Sequence, residues 1–178
     1  MTDKQALRRE LRAARTRFAR ASAIIVSHTF RDRLAAGMVV ASYVPVRGEA
    51  DPTPLARAAA DAGCVMALPH VVDKEMPLRF LAWDVEVALS EGPFGLRQPA
   101  GDAETLVPDI VLTPLVGFDR RGHRLGQGAG HYDRAFAALP LAWRIGVAWS
   151  VQEVAALPAD PWDVPLHAIA TEKEWITP

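Results

Sequence analysis

One strand–loop–helix pattern constrains the fold of this chain more than any other feature. A near-continuous apolar segment, DIVLTPLVGF (109–118), precedes the glycine-rich segment GHRLGQGAG (122–130) and then YDRAFAAL (132–139), which has helical spacing. Strands that are apolar on both faces are typical of parallel sheets covered by helices on each side. The pattern therefore predicts a strand over 110–116, then the glycine loop, then a helix over 131–139.

The other segments alternate between strand and helix patterns. The first helix begins with a capping-box pattern, Thr2 with Gln5, and a later one begins at Asp51-Pro52. Further strands are predicted within 37–46, 64–69, 78–83 and 144–150, with a last one after the proline-rich 158–165, and further helices within 2–22, 52–63 and 151–157. This alternation predicts an α/β fold, a three-layer sandwich around a mostly parallel sheet, as a single domain over 1–178.

Composition and charge exclude several classes of protein. The formal net charge of −1 argues against a surface built throughout for nucleic acid or anionic membrane. No apolar run approaches the ~18 residues that a membrane span needs, and the charged N-terminus lacks the apolar segment of a secretory signal. Cys64 is the one cysteine of the sequence, which fits a reducing compartment. We therefore expect a cytoplasmic protein that binds neither nucleic acid nor membrane.

The segment GHRLGQGAG has the properties of an anion-binding loop. It holds Gly122, Gly126, Gly128 and Gly130, although clustered glycine costs backbone entropy. Its place before a helix brings unpaired N–H groups and the positive end of the helix dipole together, and glycine lets both approach a phosphate closely. The spacing fits neither the Walker loop nor the dinucleotide fingerprint. A flexible, hairpin-like turn without a ligand is the alternative interpretation.

Charged residues around this loop admit both functional and structural interpretations. Asp133, in the first turn of the helix, either favours the helix dipole or holds Mg²⁺ beside phosphates. Lys4 and Arg8 lie at i and i+4, so both charges face the same way from one helix. A solvated basic face is the alternative there, and it is the interpretation that we assign to Arg9, Arg12 and Arg15. A nucleic-acid surface on this basic helix is a further hypothesis, which the near-neutral net charge disfavours.

The segment GFDRRGHRLGQGAGHYDR (117–134) closely resembles the signature of the 5-formyltetrahydrofolate cyclo-ligase family, also called 5,10-methenyltetrahydrofolate synthetases. That signature runs Gly-x-Arg-x-Gly-x-Gly-x-Gly-aromatic-Tyr-Asp. KQALR (4–8), ASYVPVRGEAD (41–51), FGLRQP (94–99) and the region from RIGVAWS (144–150) onward resemble other segments of the family in the same order. The resemblance therefore covers nearly the whole chain.

This resemblance implies an ATP- and Mg²⁺-dependent ring closure. The γ-phosphoryl group of ATP passes to the 5-formyl oxygen of 5-formyltetrahydrofolate, ADP is released, and the 10-amino nitrogen attacks the activated formyl carbon. Loss of phosphate then leaves the 5,10-methenyl product. Catalysis of this kind depends mainly on positioning and on charge neutralisation. ATP and folate are thus the expected small-molecule partners, and we expect a monomer.

The resemblance also implies a role for individual residues. The implied ATP site consists of Lys4, Gln5, Ala6, Leu7, Arg8, Arg124, Leu125, Gly126, Gln127, Gly128, Ala129, Gly130, His131 and Tyr132. The implied folate site consists of Val44, Glu49, Gln127, Gly128, Ala129, Gly130 and His131. Catalytic roles are implied for Arg124, Tyr132 and Asp133, and Mg²⁺ ligation for Asp133 and Asp163. Without the resemblance, Glu49 is interpreted as a surface charge of a loop and Asp163 as a turn residue.

Two residues depart from the family's pattern. His131 stands where an aromatic Tyr or Phe is usual, and His167 where an acid is frequent. An imidazole still stacks, but its titration near neutral pH predicts added pH sensitivity. These departures leave a non-catalytic nucleotide- or folate-binding relative of the same fold as the alternative function.

Overall fold

A computed structural model describes residues 4–18, 22–73, 76–84 and 87–178. Within them the helices are α1 Lys4–Arg17, α2 His28–Arg31, α3 Thr53–Asp61 and α4 His131–Ala138. The strands are β1 Val39–Ala41, β2 Val65–His70, β3 Arg79–Ala82, β4 Ser90–Glu91, β5 Arg97–Gln98, β6 Thr105–Leu106, β7 Ile110–Pro114, β8 Gly117–Phe118, β9 Arg124–Leu125, β10 Trp143–Val147, β11 Ala168–Ala170 and β12 Trp175–Ile176. None of the helices described is long and apolar enough to cross a membrane.

Eight of these strands form one sheet, in the order β12-β11-β10-β7-β1-β2-β3-β6. The five strands from β11 to β2 pair in parallel. The outer strands β12, β3 and β6 pair antiparallel at the two edges. The prediction of an α/β fold around a mostly parallel sheet is confirmed.

Both faces of the sheet are covered, and the alternation along β7 shows how. Ile110 points into a core cluster that includes Phe30 of α2 and Leu55 of α3. The next residue, Val111, points into a second cluster that includes Phe136 of α4. Burial on both faces explains why this strand is apolar at nearly every position, and it confirms three layers.

The chain leaves the neighbouring strands β1 and β7 in opposite directions. After β1 it continues through α3 to β2, on one side of the pair, and after β7 it continues through α4 to β10, on the other side. Loops that diverge in this way leave a crevice at the carboxyl ends of the strands, which is the usual ligand position in open α/β sheets.

Several sequence-based boundaries need correction. The strand expected within 37–46 is limited to the three residues of β1, and the expected loop 122–130 begins with β9, which pairs with β8. The helix expected over 151–157 is wrong, because only Ser150–Gln152 form a 3-10 turn. Beyond it, the Val154 N–H donates to the Phe118 carbonyl and the Leu157 N–H to Asp119, so neither amide is available for a helix. Thr2 of the expected capping box lies outside the described residues.

We expect Leu112→Ala to lower the free energy of unfolding by about 3 kcal/mol, because the side chain is fully buried at the centre of the sheet. The matched control is Leu141→Ala at a leucine that is 96% exposed, which should change stability by less than about 0.5 kcal/mol. Urea unfolding of both variants measures the difference. Equal losses in the two variants would contradict the assignment of β7 to the core.

Candidate active site

The crevice between β1 and β7 collects the residues that the sequence singled out. The loop after β1 carries Glu49, and the chain after β7 carries the glycine loop and then α4. Trp149 follows β10 beside them, and its indole N–H donates to the Gly48 carbonyl at 3.2 Å. The N-terminal helix α1 contacts the glycine loop through the side chain of Arg8, which donates to the Gly126 carbonyl. The topology therefore brings four separate segments to one end of the sheet.

A hairpin anchors the first half of the glycine segment. Strands β8 and β9 pair antiparallel, and the buried carboxylate of Asp119 holds the turn between them. It accepts hydrogen bonds from the N–H groups of Arg121 and His123 and from that of Leu157 at 2.9 Å. Burial pushes the pKa of Asp119 up, but the hydrogen bonds from Leu157 and His123 hold it below its ordinary value. The hairpin-like interpretation of this segment is thus right for its first half.

The glycines serve different purposes. Gly122 has φ +83°, and a Cβ there would lie 2.6 Å from the Leu166 carbonyl oxygen, so the hairpin itself requires glycine. Gly128 and Gly130 also have positive φ, and Gly130 is the N-cap of α4. Gly126 has no such restriction, and a Cβ there would meet nothing within 4 Å. Contacts within the fold do not explain glycine at position 126, whereas a ligand lying against the backbone would.

In the second half of the loop the carbonyl and N–H groups of the backbone differ in their partners. Its carbonyl oxygens accept from arginines: that of Gly126 from Arg8 at 2.9 Å, and that of Ala129 from Arg134 at 3.1 Å. Among the described residues, by contrast, no acceptor faces the N–H groups of residues 126–130. With cationic side chains nearby and the N-terminus of α4 adjacent, this backbone is suited to an anion.

The first turn of α1 is tied to the turn before β11. Lys4 Nζ lies 2.6 Å from Asp160 and 3.1 Å from Asp163. Partial burial opposes the charge of Lys4, but the hydrogen bonds to both carboxylates raise its pKa. Leu7 packs on a core cluster with Leu125, whose side chain is buried. Gln5 and Ala6, from the same turn, are exposed.

Arg124 is already committed to protein partners. Its side chain, 5% exposed, donates to the Asp133 carboxylate and to the Val164 carbonyl, and its guanidinium lies over the Phe136 ring. Burial lowers the pKa of Arg124, which the charges of Asp133 and Asp163 oppose. Arg124 therefore fixes the Asp133 carboxylate at the start of α4.

Glu49 is buried in the same crevice, 8% exposed. Its carboxylate accepts from the Val46 N–H and from the Gln127 side chain, each at 3.1 Å. Burial raises the pKa of Glu49, and these two hydrogen bonds partly offset that rise. Tyr132 lies near enough for the Glu49 charge to add to the effect of burial, and both raise the pKa of its phenol. Tyr132 is thus a protonated hydrogen-bond donor at neutral pH.

A cavity of about 550 Å³ opens beside Glu49, within the size range of small-molecule sites. Its lining residues are Ser22, Ala23, Ile24, Pro45, Gly48, Glu49, Asp51, Pro54 and Trp149. The predicted wall residue Val44 is partly buried and is not among them, so its role stays a prediction.

The two unusual histidines lie apart. His131 begins α4, and burial together with the charge of Arg134 lowers its pKa. His167 is hydrogen-bonded to Arg144 of β10, whose guanidinium lies 2.8 Å from Nε2. Burial and the charge of Arg144 lower the pKa of His167 as well.

Asp133 and Asp163 both lie close to Arg124. Each has one carboxylate oxygen, Oδ2 of Asp133 and Oδ1 of Asp163, without a hydrogen bond to the described residues. No group of three or more His, Cys, Asp or Glu side chains among those residues is arranged to hold a metal ion. Mg²⁺ takes one or two carboxylates and fills its other positions with phosphate oxygens and water. The donor set therefore fits Mg²⁺ that binds together with a phosphate.

The assignment of Arg12 and Arg15 to a solvated face is wrong for Arg15, which is buried, and right for Arg12, which is exposed but also has a partner that the sequence did not indicate. Arg15 is 2% exposed and donates to the Arg47 carbonyl at 3.1 Å. Arg12 donates to the Gln127 side chain at 2.7 Å. The spacing along α1 could have indicated both contacts. Arg12 continues the i, i+4 series of Lys4 and Arg8, and Arg15 continues the apolar series of Leu7 and Leu11.

Comparisons with known proteins agree with the resemblance. A model described as the 5-formyltetrahydrofolate cyclo-ligase family matches residues 1–172. The 5-formyltetrahydrofolate cyclo-ligase of Escherichia coli is 31% identical over 174 residues, which cover 91% of this chain and 88% of that relative. The Haemophilus influenzae protein of the same name is 36% identical over 102 residues, which are 52% of each chain.

A solved structure gives the same answer for the fold. The NMR structure of 5,10-methenyltetrahydrofolate synthetase from Aquifex aeolicus matches with a TM-score of 0.76 and 27% identity. The match covers 98% of this chain and 92% of that chain.

We expect Gly122→Ala and Gly126→Ala to differ in stability although the substitution is the same. Gly122→Ala forces a side chain into a left-handed conformation and against a carbonyl, which should cost about 2 kcal/mol or more. Gly126→Ala meets open space and should change the free energy of unfolding by less than about 0.5 kcal/mol. Urea titrations measure both; a large loss for Gly126→Ala would show that the fold requires that glycine.

Proposed function

Because the chain belongs to the 5-formyltetrahydrofolate cyclo-ligase family, we propose that it converts 5-formyltetrahydrofolate to 5,10-methenyltetrahydrofolate with ATP as co-substrate. The γ-phosphoryl group passes to the formyl oxygen and ADP leaves. The 10-amino nitrogen then attacks the formyl carbon, and phosphate leaves with the former formyl oxygen. The observation that carries the proposal is the set of N–H groups at residues 126–130 that have no acceptor among the described residues, in a loop whose Gln127 side chain contacts Glu49 at the cavity.

The nucleotide end of the site consists of the glycine loop and α1. The N–H groups of 126–130 bind the phosphates, and the helix dipole of α4 adds to their attraction. Arg8, between the loop and the helix, supplies positive charge for the phosphates. Lys4 also binds the phosphates, for which the nucleotide must compete with Asp160 and Asp163 for the ammonium group of Lys4.

Asp133 and Asp163 would hold Mg²⁺ through the carboxylate oxygens that have no hydrogen bond to the described residues. When bound, Mg²⁺ neutralises charge on the phosphates. Arg124 is a positioning residue there, because it fixes the Asp133 carboxylate. Tyr132 donates its phenol proton in a hydrogen bond to the reacting oxygen, a role that its raised pKa favours.

The folate end consists of Glu49 and the cavity beside it. The Glu49 carboxylate has lone pairs left for the amino-pyrimidine edge of the pterin, since only two hydrogen bonds reach it from the described residues. Trp149 gives the cavity an apolar, aromatic wall. Glu49 is hydrogen-bonded to Gln127 of the glycine loop. In this proposal the folate therefore lies on one side of that loop and the nucleotide on the other.

We further propose that the protein acts as a cytoplasmic monomer on small molecules, without nucleic acid or membrane. Its lone Cys64 fits a reducing compartment. Three arginines of α1 that a nucleic-acid surface would use have partners within the protein: Arg8 and Arg12 contact the glycine loop, and Arg15 is buried.

The direct test is a spectrophotometric assay with Mg-ATP and 5-formyltetrahydrofolate. We expect a new absorbing methenyl product and one ADP per product. Binding of both ligands without turnover would support the non-catalytic alternative instead, and absence of binding would reject both functions.

We expect Asp133→Asn to lower kcat by about 100-fold or more while the protein stays folded. The amide keeps an oxygen for Arg124, so the buried guanidinium retains its acceptor, but the charge for Mg²⁺ is lost. The assay at rising Mg²⁺ concentration, together with thermal melting, separates the two effects. If the melting temperature falls so far that unfolding explains the lost activity, the role of Asp133 in Mg²⁺ binding is contradicted.

We expect Glu49→Ala to raise the KM for 5-formyltetrahydrofolate at least tenfold, because the pterin loses its buried acceptor. Nucleotide affinity measured in the absence of folate should stay within about twofold, since Glu49 does not contact the phosphate-binding N–H groups. Equal weakening of both ligands would contradict the assignment of Glu49 to the folate end.

A further inference from the structure

A chain of three side chains runs from α1 through the glycine loop to the folate carboxylate. Arg12 Nη2 donates to Gln127 Oε1 at 2.7 Å, and Gln127 Nε2 donates to Glu49 Oε1 at 3.1 Å. The ends of the chain fix its direction. A guanidinium only donates and a carboxylate only accepts, so Gln127 must turn its oxygen to Arg12 and its nitrogen to Glu49.

Gln127 belongs to both halves of the proposed site. Its backbone lies between Gly126 and Gly128, within the segment whose N–H groups are proposed to bind phosphate. Its side chain touches a carboxylate that lines the 550 Å³ cavity. A displacement of Glu49 therefore changes a hydrogen-bond partner of Gln127, and a displacement of the loop moves a donor of Glu49.

The same helix holds the Glu49 loop from the other side. Arg15 donates to the carbonyl of Arg47, and its charge lowers the pKa of Glu49 against the rise from burial. Arg47 has φ 48°, a left-handed conformation that is unfavourable outside glycine. Surrounding contacts must therefore maintain that conformation, and the buried guanidinium supplies one of them. Arg12 and Arg15 thus connect α1 to both substrate loops.

We propose that Arg12 and Gln127 couple the two substrate sites, so that folate and nucleotide each raise the affinity of the protein for the other. This inference rests on the proposed function. Arg12 acts as a positioning residue: it orients the Gln127 amide, and Gln127 transmits the state of Glu49 to the phosphate-binding backbone. Coupling between binding sites is reciprocal, so the same factor must appear in both directions.

Isothermal titration calorimetry tests the coupling at equilibrium. The folate is 5-formyltetrahydrofolate, and the nucleotide is the non-hydrolysable β,γ-imido analogue of ATP with Mg²⁺, so that no turnover interferes. In the unmodified protein we expect each ligand to tighten the other about fivefold or more. Gln127→Leu and Arg12→Met should reduce that factor to less than about twofold, although each protein still binds both ligands.

Two further variants separate positioning from charge and from folding. Arg9→Met removes one charge from an exposed position of the same helix and should leave the coupling factor unchanged. Arg12→Lys keeps a donor for Gln127 Oε1 and should restore part of the coupling that Arg12→Met loses. Because Gln127→Leu and Arg12→Met interrupt the same chain at different residues, either one tests it if the other fails to fold.

The outcomes are distinct. Loss of coupling in Gln127→Leu and Arg12→Met, but not in Arg9→Met, supports the proposal. A coupling factor that is the same in all variants, or is absent from the unmodified protein, overturns it while the proposed reaction stands if turnover is observed. Failure of the unmodified protein to bind either ligand would overturn both.

Discussion

The parallel pairing of β1 with β7 is the interaction on which the rest of the site depends. Val40 lies opposite Ile110 and Ala41 opposite Val111, and both strands are buried on both faces. The chain leaves this pair in opposite directions, so the loop with Glu49 and the glycine loop face each other across the end of the sheet. Residues far apart in sequence meet there because the sheet fixes where both loops begin.

Electrostatics then decides what the crevice can bind. The carbonyl oxygens of the glycine loop face Arg8, Arg12 and Arg134, which leaves the N–H groups of the loop for an acceptor that the described residues do not supply. A buried cation without an anion is costly, and the site satisfies Arg124 with Asp133 instead. The site is thus basic where phosphates would bind and acidic where a cation between them would bind.

Much of this arrangement could be predicted from the sequence, and the reasons are physical. The strand, loop and helix at 110–139 were predictable because burial on two faces, glycine clustering and helical spacing are local patterns. The helix expected over 151–157 was wrong because Phe118 and Asp119, more than thirty residues away, accept from its N–H groups. The burial of Arg15 and the contact between Arg12 and Gln127 were missed for a similar reason, since the distant partner of an arginine on a basic helix cannot be read from local spacing. The resemblance implied roles for residues whose function the local patterns did not decide, but it did not indicate the contacts among those residues.

Burial of Glu49 in the crevice destabilises its ionised form. Burial raises the pKa of Glu49, which means that its ionised form is held at a cost in folding free energy. That cost is lowest when the carboxylate has the most donors, and the described residues supply two, from Val46 and Gln127. A ligand that donates to the remaining lone pairs would lower that cost, which would favour its binding at Glu49. One of the two donors, Gln127, belongs to the glycine loop, so such a ligand would also change a contact of that loop.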